Sequence, residues 1–177
     1  MEQLPVSPLR SVDEHLAAVL SLVDPASPAR IEDRCGLAAL GQVLARDLEA
    51  RVAVPPFDNS AMDGYAVHAA DVEAASLHHP VVLQVVGDVP AGGFRAEPVG
   101  VGQAVRIMTG APLPPGADAI VPVEQTDQPR GAAPLPTQVA VHAPTSLGRH
   151  IRRAGDDTTV GELTAAAGSV ITPTLLS

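Results

Sequence analysis

Lysine and tryptophan are absent from this chain, and it has only two phenylalanines, one tyrosine and one cysteine. All eleven basic residues are arginine, against twenty acidic ones, for a formal net charge of −9. A surface of that sign lacks the basic face that displaces counterions from nucleic acid, so no nucleic-acid partner is expected. A small anion is not excluded, because a local arginine cluster overrides the global balance. The lone cysteine, Cys35, rules out an internal disulfide framework and a thiolate metal cluster, and is expected to be a small buried hydrophobe. No apolar run approaches the roughly 18 residues of a membrane span. The N-terminus lacks the basic start and apolar core of a signal peptide. The expectation is a soluble cytoplasmic protein with no membrane partner.

What is present is 177 residues, enough for one or two domains with a buried core. The apolar fraction is 46%, almost all aliphatic, and eighteen prolines and fifteen glycines point to short elements in a β-rich or mixed structure. One stretch concentrates the scarce residue types: Val54-Pro55-Pro56-Phe57-Asp58-Asn59-Ser60-Ala61-Met62-Asp63-Gly64-Tyr65-Ala66-Val67. Two prolines stiffen its approach. Phe57 and Tyr65, two of three aromatics (Phe94 is the third), flank two carboxylates, an amide and a hydroxyl, and are expected to be its packing anchors. Asp63-Gly64 is a turn-forming pair. The stretch is either a surface turn, with Asp58, Asn59 and Ser60 capping backbone N–H groups, or a site.

Ser11-Val12-Asp13-Glu14 has the form of a capping box, and the apolar spacing that follows predicts a helix over 12–23, ended by Asp24-Pro25. A short strand is possible over 30–35, and a second helix is expected over 36–45. After the polar stretch, strands are predicted at 65–67, 81–86 (ended by Gly87-Asp88), 104–108, 119–123, 137–141 and 169–171, with a helical turn over 68–74. Pro122 favours a sheet edge. Residues 126–137 read as a hairpin connection or mobile loop. Thr172-Pro173 opens a helix, with Thr172 as N-cap.

Two further motifs carry polar chemistry. Arg106-Ile107-Met108-Thr109-Gly110-Ala111-Pro112 is followed by Pro115-Gly116-Ala117-Asp118-Ala119-Ile120-Val121. Thr109 and Gly110 offer a hydroxyl and a backbone N–H to an oxyanion, or form a plain strand-end turn. In Ile151-Arg152-Arg153-Ala154-Gly155-Asp156-Asp157 the guanidinium forks suit an oxyanion, or they pair with Asp156 and Asp157. The six histidines show no metal-ligand spacing.

These three motifs, in this order, resemble the molybdopterin molybdenumtransferases, the MoeA and gephyrin E-domain family of molybdenum-cofactor synthesis. Asp156 stands where that family more usually has glutamate. The resemblance covers essentially the whole chain but only the family's N-terminal part; its pterin-binding and C-terminal β domains have no counterpart in these residues. It implies an α+β fold: a β-rich module over 52–144 inserted in an elongated helix-and-strand linker domain built from 1–51 and 145–177. The activity it implies is transfer of molybdate to adenylylated molybdopterin, releasing AMP with Mg²⁺. Asp63 and Asp157 become candidate catalytic carboxylates, with Asp63 also a metal ligand, since Mg²⁺ prefers carboxylate oxygens. Without the resemblance, Asp63 reads first as a turn former accepting a backbone hydrogen bond, and Asp157 reads equally as a solvated acid balanced by Arg152 and Arg153. Asp58, Asn59, Ser60, Thr109, Gly110, Arg152 and Arg153 become candidate substrate contacts. The implied partners are a second copy, whose pterin-binding domain these loops would face, and the molybdopterin adenylyltransferase. The alternative from another class is a non-catalytic scaffold or dimerisation module.

Overall fold

The computed structural model describes residues 10–22, 31–93, 97–131 and 133–176. The structure is mixed, sheet-rich and poor in helix, as an α+β chain dense in proline and glycine should be. It divides into two compact units, residues 1–47 with 166–177, and residues 48–165. Residues 145–165, expected with the linker domain, pair with strands near residues 48–60 of the larger unit.

In the smaller unit, helix α1 (Val12–Ser21) starts as the sequence requires. The Ser11 hydroxyl accepts from the Glu14 N–H and the Glu14 carboxylate from the Ser11 N–H, closing the capping box. Residue 23 and the Asp24-Pro25 stop lie outside the described residues. The helix expected over 36–45 is only a 3-10 turn, Gly36–Ala39. Gly41 sits at φ +76°, and from there the backbone bonds across to 168–171, Val43 bridging Val170. That bridge is all that forms of the strand expected at 169–171. Residues 31–35 form no strand, and residue 30 lies outside the described residues. Cys35 is exposed, contrary to expectation, in an extended segment where residues 31–38 are all exposed. Helix α2 (Pro173–Leu176) follows Thr172, whose hydroxyl accepts from the Leu175 N–H at 3.4 Å.

The larger unit is built on a five-stranded sheet. Its members are β3 (Gly64–Val67), β4 (Val81–Val89), β5 (Gln103–Ile107), β6 (Ala119–Pro122) and β7 (Gln138–Val141). Their order is β6-β3-β5-β4-β7, with β4 and β5 parallel and the other neighbours antiparallel. Pro122 lies on edge strand β6, where a missing N–H costs least. Two short pairs complete the unit: β1 (Leu48–Glu49) with β9 (Leu163–Ala165), and β2 (Asn59–Ser60) with β8 (Ile151–Arg152). Strand β4 runs through Gly87-Asp88 instead of stopping there. A register shift between Val85 and Gly87 absorbs the glycine, and Asp88 then stands opposite Arg106 and pairs with it at 2.6 Å.

Both faces of the sheet are covered. Tyr65, Val67, Leu83, Ala104, Val121 and Val139 belong to one buried cluster, and Ala66, Val89, Val105, Ile107 and Ile120 to the other. Strand β3 is buried along its whole length, which is why it reads as a run of small and apolar residues instead of alternating. The aromatic pair divides: Tyr65 is 2% exposed and anchors in the core, whereas Phe57 is 39% exposed. Phe57 is therefore not the packing anchor its sequence neighbourhood suggested; the neighbouring Asp58 and Asn59 fix that bend with hydrogen bonds. A Cβ on Gly64 would lie 2.0 Å from the Val121 carbonyl oxygen. Gly64→Ala should therefore cost about 4 kcal/mol or more, in the exceptional class of single substitutions, and Phe57→Ala only about 1 kcal/mol. Thermal melts of the two variants beside the parent check this; equal losses would refute the assignment of anchors.

Candidate functional site

Strand β2 is two residues long, yet three distant parts of the chain meet on it. On one side Ser60 N–H donates to the Ala111 carbonyl at 3.1 Å, Gly110 N–H donates to the Ser60 carbonyl at 2.8 Å, and Asn59 bridges Pro112. On the other, Asn59 pairs with Arg152 and Ser60 with Ile151. The first motif is thus held between the second and the third. Asn59 and Ser60 are buried and their side chains turn to their own loop, Asn59 Nδ2 to the Phe57 carbonyl and Ser60 Oγ to the Met62 backbone. They give the candidate site its frame and present no side chain to solvent.

Asp63 and Thr109 form the polar contact between the first two motifs. Asp63 Oδ1 accepts both from the Thr109 N–H and from its hydroxyl, each at 2.7 Å. Those two bonds, the backbone one first, hold the Asp63 carboxyl below the usual carboxylate range, so it is ionised at neutral pH. Thr109 and Gly110 therefore spend both N–H groups and the hydroxyl within the chain. Asp63 is exposed, and Oδ2 accepts from no donor among the described residues.

One ion pair ties the first motif to the third, and a second closes within the third. Asp58 takes the Ala154 N–H on Oδ1 at 2.8 Å and the Arg153 guanidinium on Oδ2 at 2.6 Å. The Ala154 N–H, then Arg153, hold its carboxyl low. Arg152 pairs with Asp157, and Asp156 accepts the Arg153 N–H at 2.7 Å. The arginines thus do pair with aspartates, but Arg153 takes Asp58 across the fold instead of its sequence neighbour. Arg152, Arg153 and Asp157 remain exposed. No His, Cys, Asp or Glu side chains among the described residues form a group of three suited to a metal ion.

His150 is a further residue that sequence reasoning passed over. It is the one non-glycine residue at positive φ among those described, +59°, and its carbonyl accepts the Ala61 N–H at 2.8 Å. Histidine tolerates that region better than most residues, but no local pattern announces the position. Partial burial, then Arg149, lowers the His150 imidazole pKa.

The family model described as the MoeA N-terminal region, domains I and II, matches residues 10–177. Molybdopterin molybdenumtransferase 2 of Mycobacterium tuberculosis (strain CDC 1551 / Oshkosh) is 42% identical over 171 residues, 95% of this chain and 39% of that protein. The molybdopterin molybdenumtransferase of Synechococcus elongatus is 46% identical over 138 residues, 76% of this chain and 32% of that protein. A solved structure of the molybdopterin biosynthesis MoeA protein of Pyrococcus horikoshii OT3 superposes with a TM-score of 0.70 at 33% identity, covering 78% of this chain and 35% of that one. The chain spans about a third to two-fifths of the length of these relatives.

Asp58 and Asp63 are held low only when folded, so their stabilising contribution is complete above the unfolded-chain value. It is lost as pH falls through the folded value. The melting temperature should therefore drop between about pH 5 and pH 2, the window of native carboxylate titration. Asp58→Asn should start lower at neutral pH and fall less steeply on acidification. Melts across that range check the slope; parallel curves for parent and variant would remove Asp58 from the account.

Proposed function

The chain belongs to the family of MoeA N-terminal regions, domains I and II, and from that membership we propose a role in molybdenum-cofactor biosynthesis. In the intact protein, molybdate would be transferred to adenylylated molybdopterin with release of AMP. The observation that carries this reading is the meeting of three polar motifs on β2, with an ionised, exposed Asp63 on one side and the Arg152–Asp157 pair on the other.

Asp63 and Asp157 are the proposed catalytic carboxylates. Thr109 fixes the Asp63 carboxylate in one orientation and leaves its second oxygen open. That oxygen fits one coordination position of Mg²⁺, which takes one or two carboxylates and fills the rest with water and substrate phosphate. Bound there, Mg²⁺ would neutralise charge on the phosphate oxygens. Arg152 and Arg153 would orient oxyanions of the substrate, while Asp58, Asn59, Ser60 and Gly110 keep the three motifs in register.

A homodimer belongs to the same proposal, with these loops facing the pterin-binding domain of the partner copy. It is supported by α1, whose Val12, Leu16, Val19 and Leu20 are all exposed and which buries none of its residues. We also propose that the β-rich module is inserted in an elongated linker domain. The molybdopterin adenylyltransferase, source of the adenylylated substrate, is a further proposed partner.

The proposal is tested by AMP release from adenylylated molybdopterin with Mg²⁺ and molybdate. The chain alone should be inactive. Fused to the remaining length of the M. tuberculosis relative, it should turn over, and Asp63→Asn in that fusion should lower the rate by roughly 100-fold, the scale of losing one positioned charged group. Near-normal turnover of the Asn variant would make Asp63 a turn former only.

A further inference from the structure

The turn that leads into β8 gathers positive charge in a chain whose formal net charge is −9: Arg149, His150, Arg152 and Arg153 all fall within one short run. The carboxylates beside them are already engaged. Asp157 pairs with Arg152, Asp58 with Arg153, and Asp156 accepts the Arg153 N–H. Arg149 is exposed and forms no ion pair among the described residues. The Arg153 guanidinium gives Nη1 to Asp58, while its Nη2 reaches back over Gly148, 3.9 Å from where a Cβ on that glycine would stand.

Backbone conformation singles out His150. Every other described residue at positive φ is a glycine. The turn is pinned from three sides: Ala61 N–H donates to the His150 carbonyl at 2.8 Å, Ile120 N–H to the Arg149 carbonyl at 3.1 Å, and Gly148 N–H to the Asp118 carbonyl at 2.8 Å. None of these bonds uses the imidazole, and glycine would take the same conformation without strain. A side chain kept at a strained position points to a use for that side chain. The His150 imidazole is half-buried, and neither ring nitrogen has a hydrogen-bond partner among the described residues. With its pKa lowered by burial and then by the Arg149 charge, the ring is mainly neutral at pH 7 and offers an N–H.

We propose that Arg149, His150 and Arg153 bind the phosphate group of a monoester at this turn. Guanidinium N–H groups suit the oxygens of a tetrahedral oxyanion, and the imidazole N–H supplies a further donor. Arg149 and Arg153 are exposed, so the oxygen that carries the ester carbon faces solvent. The transferase reading gives Arg149 and His150 no role, and the inference does not rest on it. Binding is read on this chain alone, and a negative result would leave AMP release by the fusion as the separate test of that reading.

Inorganic phosphate and methyl phosphate, titrated at constant pH and ionic strength, should each shift the amide signals of residues 148–153 saturably. Arg149→Gln should weaken both by about tenfold, the scale of one charge-assisted hydrogen bond set against a neutral one. Arg130→Gln, which removes a guanidinium already paired with Glu124, should change neither. His150→Gly should melt close to the parent temperature yet bind phosphate at least about fivefold more weakly, whereas a purely structural histidine would leave affinity intact. An unsaturable response, rejection of methyl phosphate, equal losses in the two arginine variants, or undiminished affinity in His150→Gly would overturn the proposal. The comparison of the two arginine variants stands even if His150→Gly does not fold.

Discussion

A buried backbone N–H or carbonyl must find a partner, and in this fold that requirement falls most heavily on Asn59 and Ser60. Both residues are buried, and water cannot serve them. Their main chain is satisfied only by drawing the Gly110–Pro112 turn to one side and β8 to the other. Each of the three polar motifs is therefore held by another's unmet hydrogen bonds. The surface carboxylates and guanidinium groups inherit their positions from this arrangement.

The same economy governs the charges. Asp63 is fixed by a backbone N–H and a hydroxyl from one residue, and Asp58 by a backbone N–H and a guanidinium from two. Main-chain donors do not swing away as long side chains do, so these carboxylates lose little conformational freedom that was not already lost in folding. Exposed ion pairs alone would contribute little. Here their value is orientation, with Arg153 and Arg152 held on opposite partners, Asp58 and Asp157.

Local chemistry in the sequence announced what depends on near neighbours. The capping box at Ser11 and Glu14, the run at β4, the edge position of Pro122 and the helix opening at Thr172-Pro173 are each decided by residues within a few positions. The resemblance of the three motifs picked out the residues that gather around β2. What stayed hidden depends on distant partners. After Gly41 the helical pattern gives way to a bridge between Val43 and Val170, a partner more than a hundred residues away. The two-residue strands β1 and β8 have no pattern long enough to read. Phe57 is exposed because its loop is closed by polar bonds, which hydrophobicity does not register.

The contacts that define the polar site span long stretches of chain: Asp63 to Thr109 closes 46 residues and Asp58 to Arg153 closes 95. Loop closures of that length come late, since their entropy must be met before the contacts return anything. A chain that has formed only β4, β5 and their local turns therefore has no site in any partial form. Its motifs remain separate polar loops. The geometry they share in the finished protein is in this way gated by complete folding, and a nascent chain still lacking β8 has no part of it.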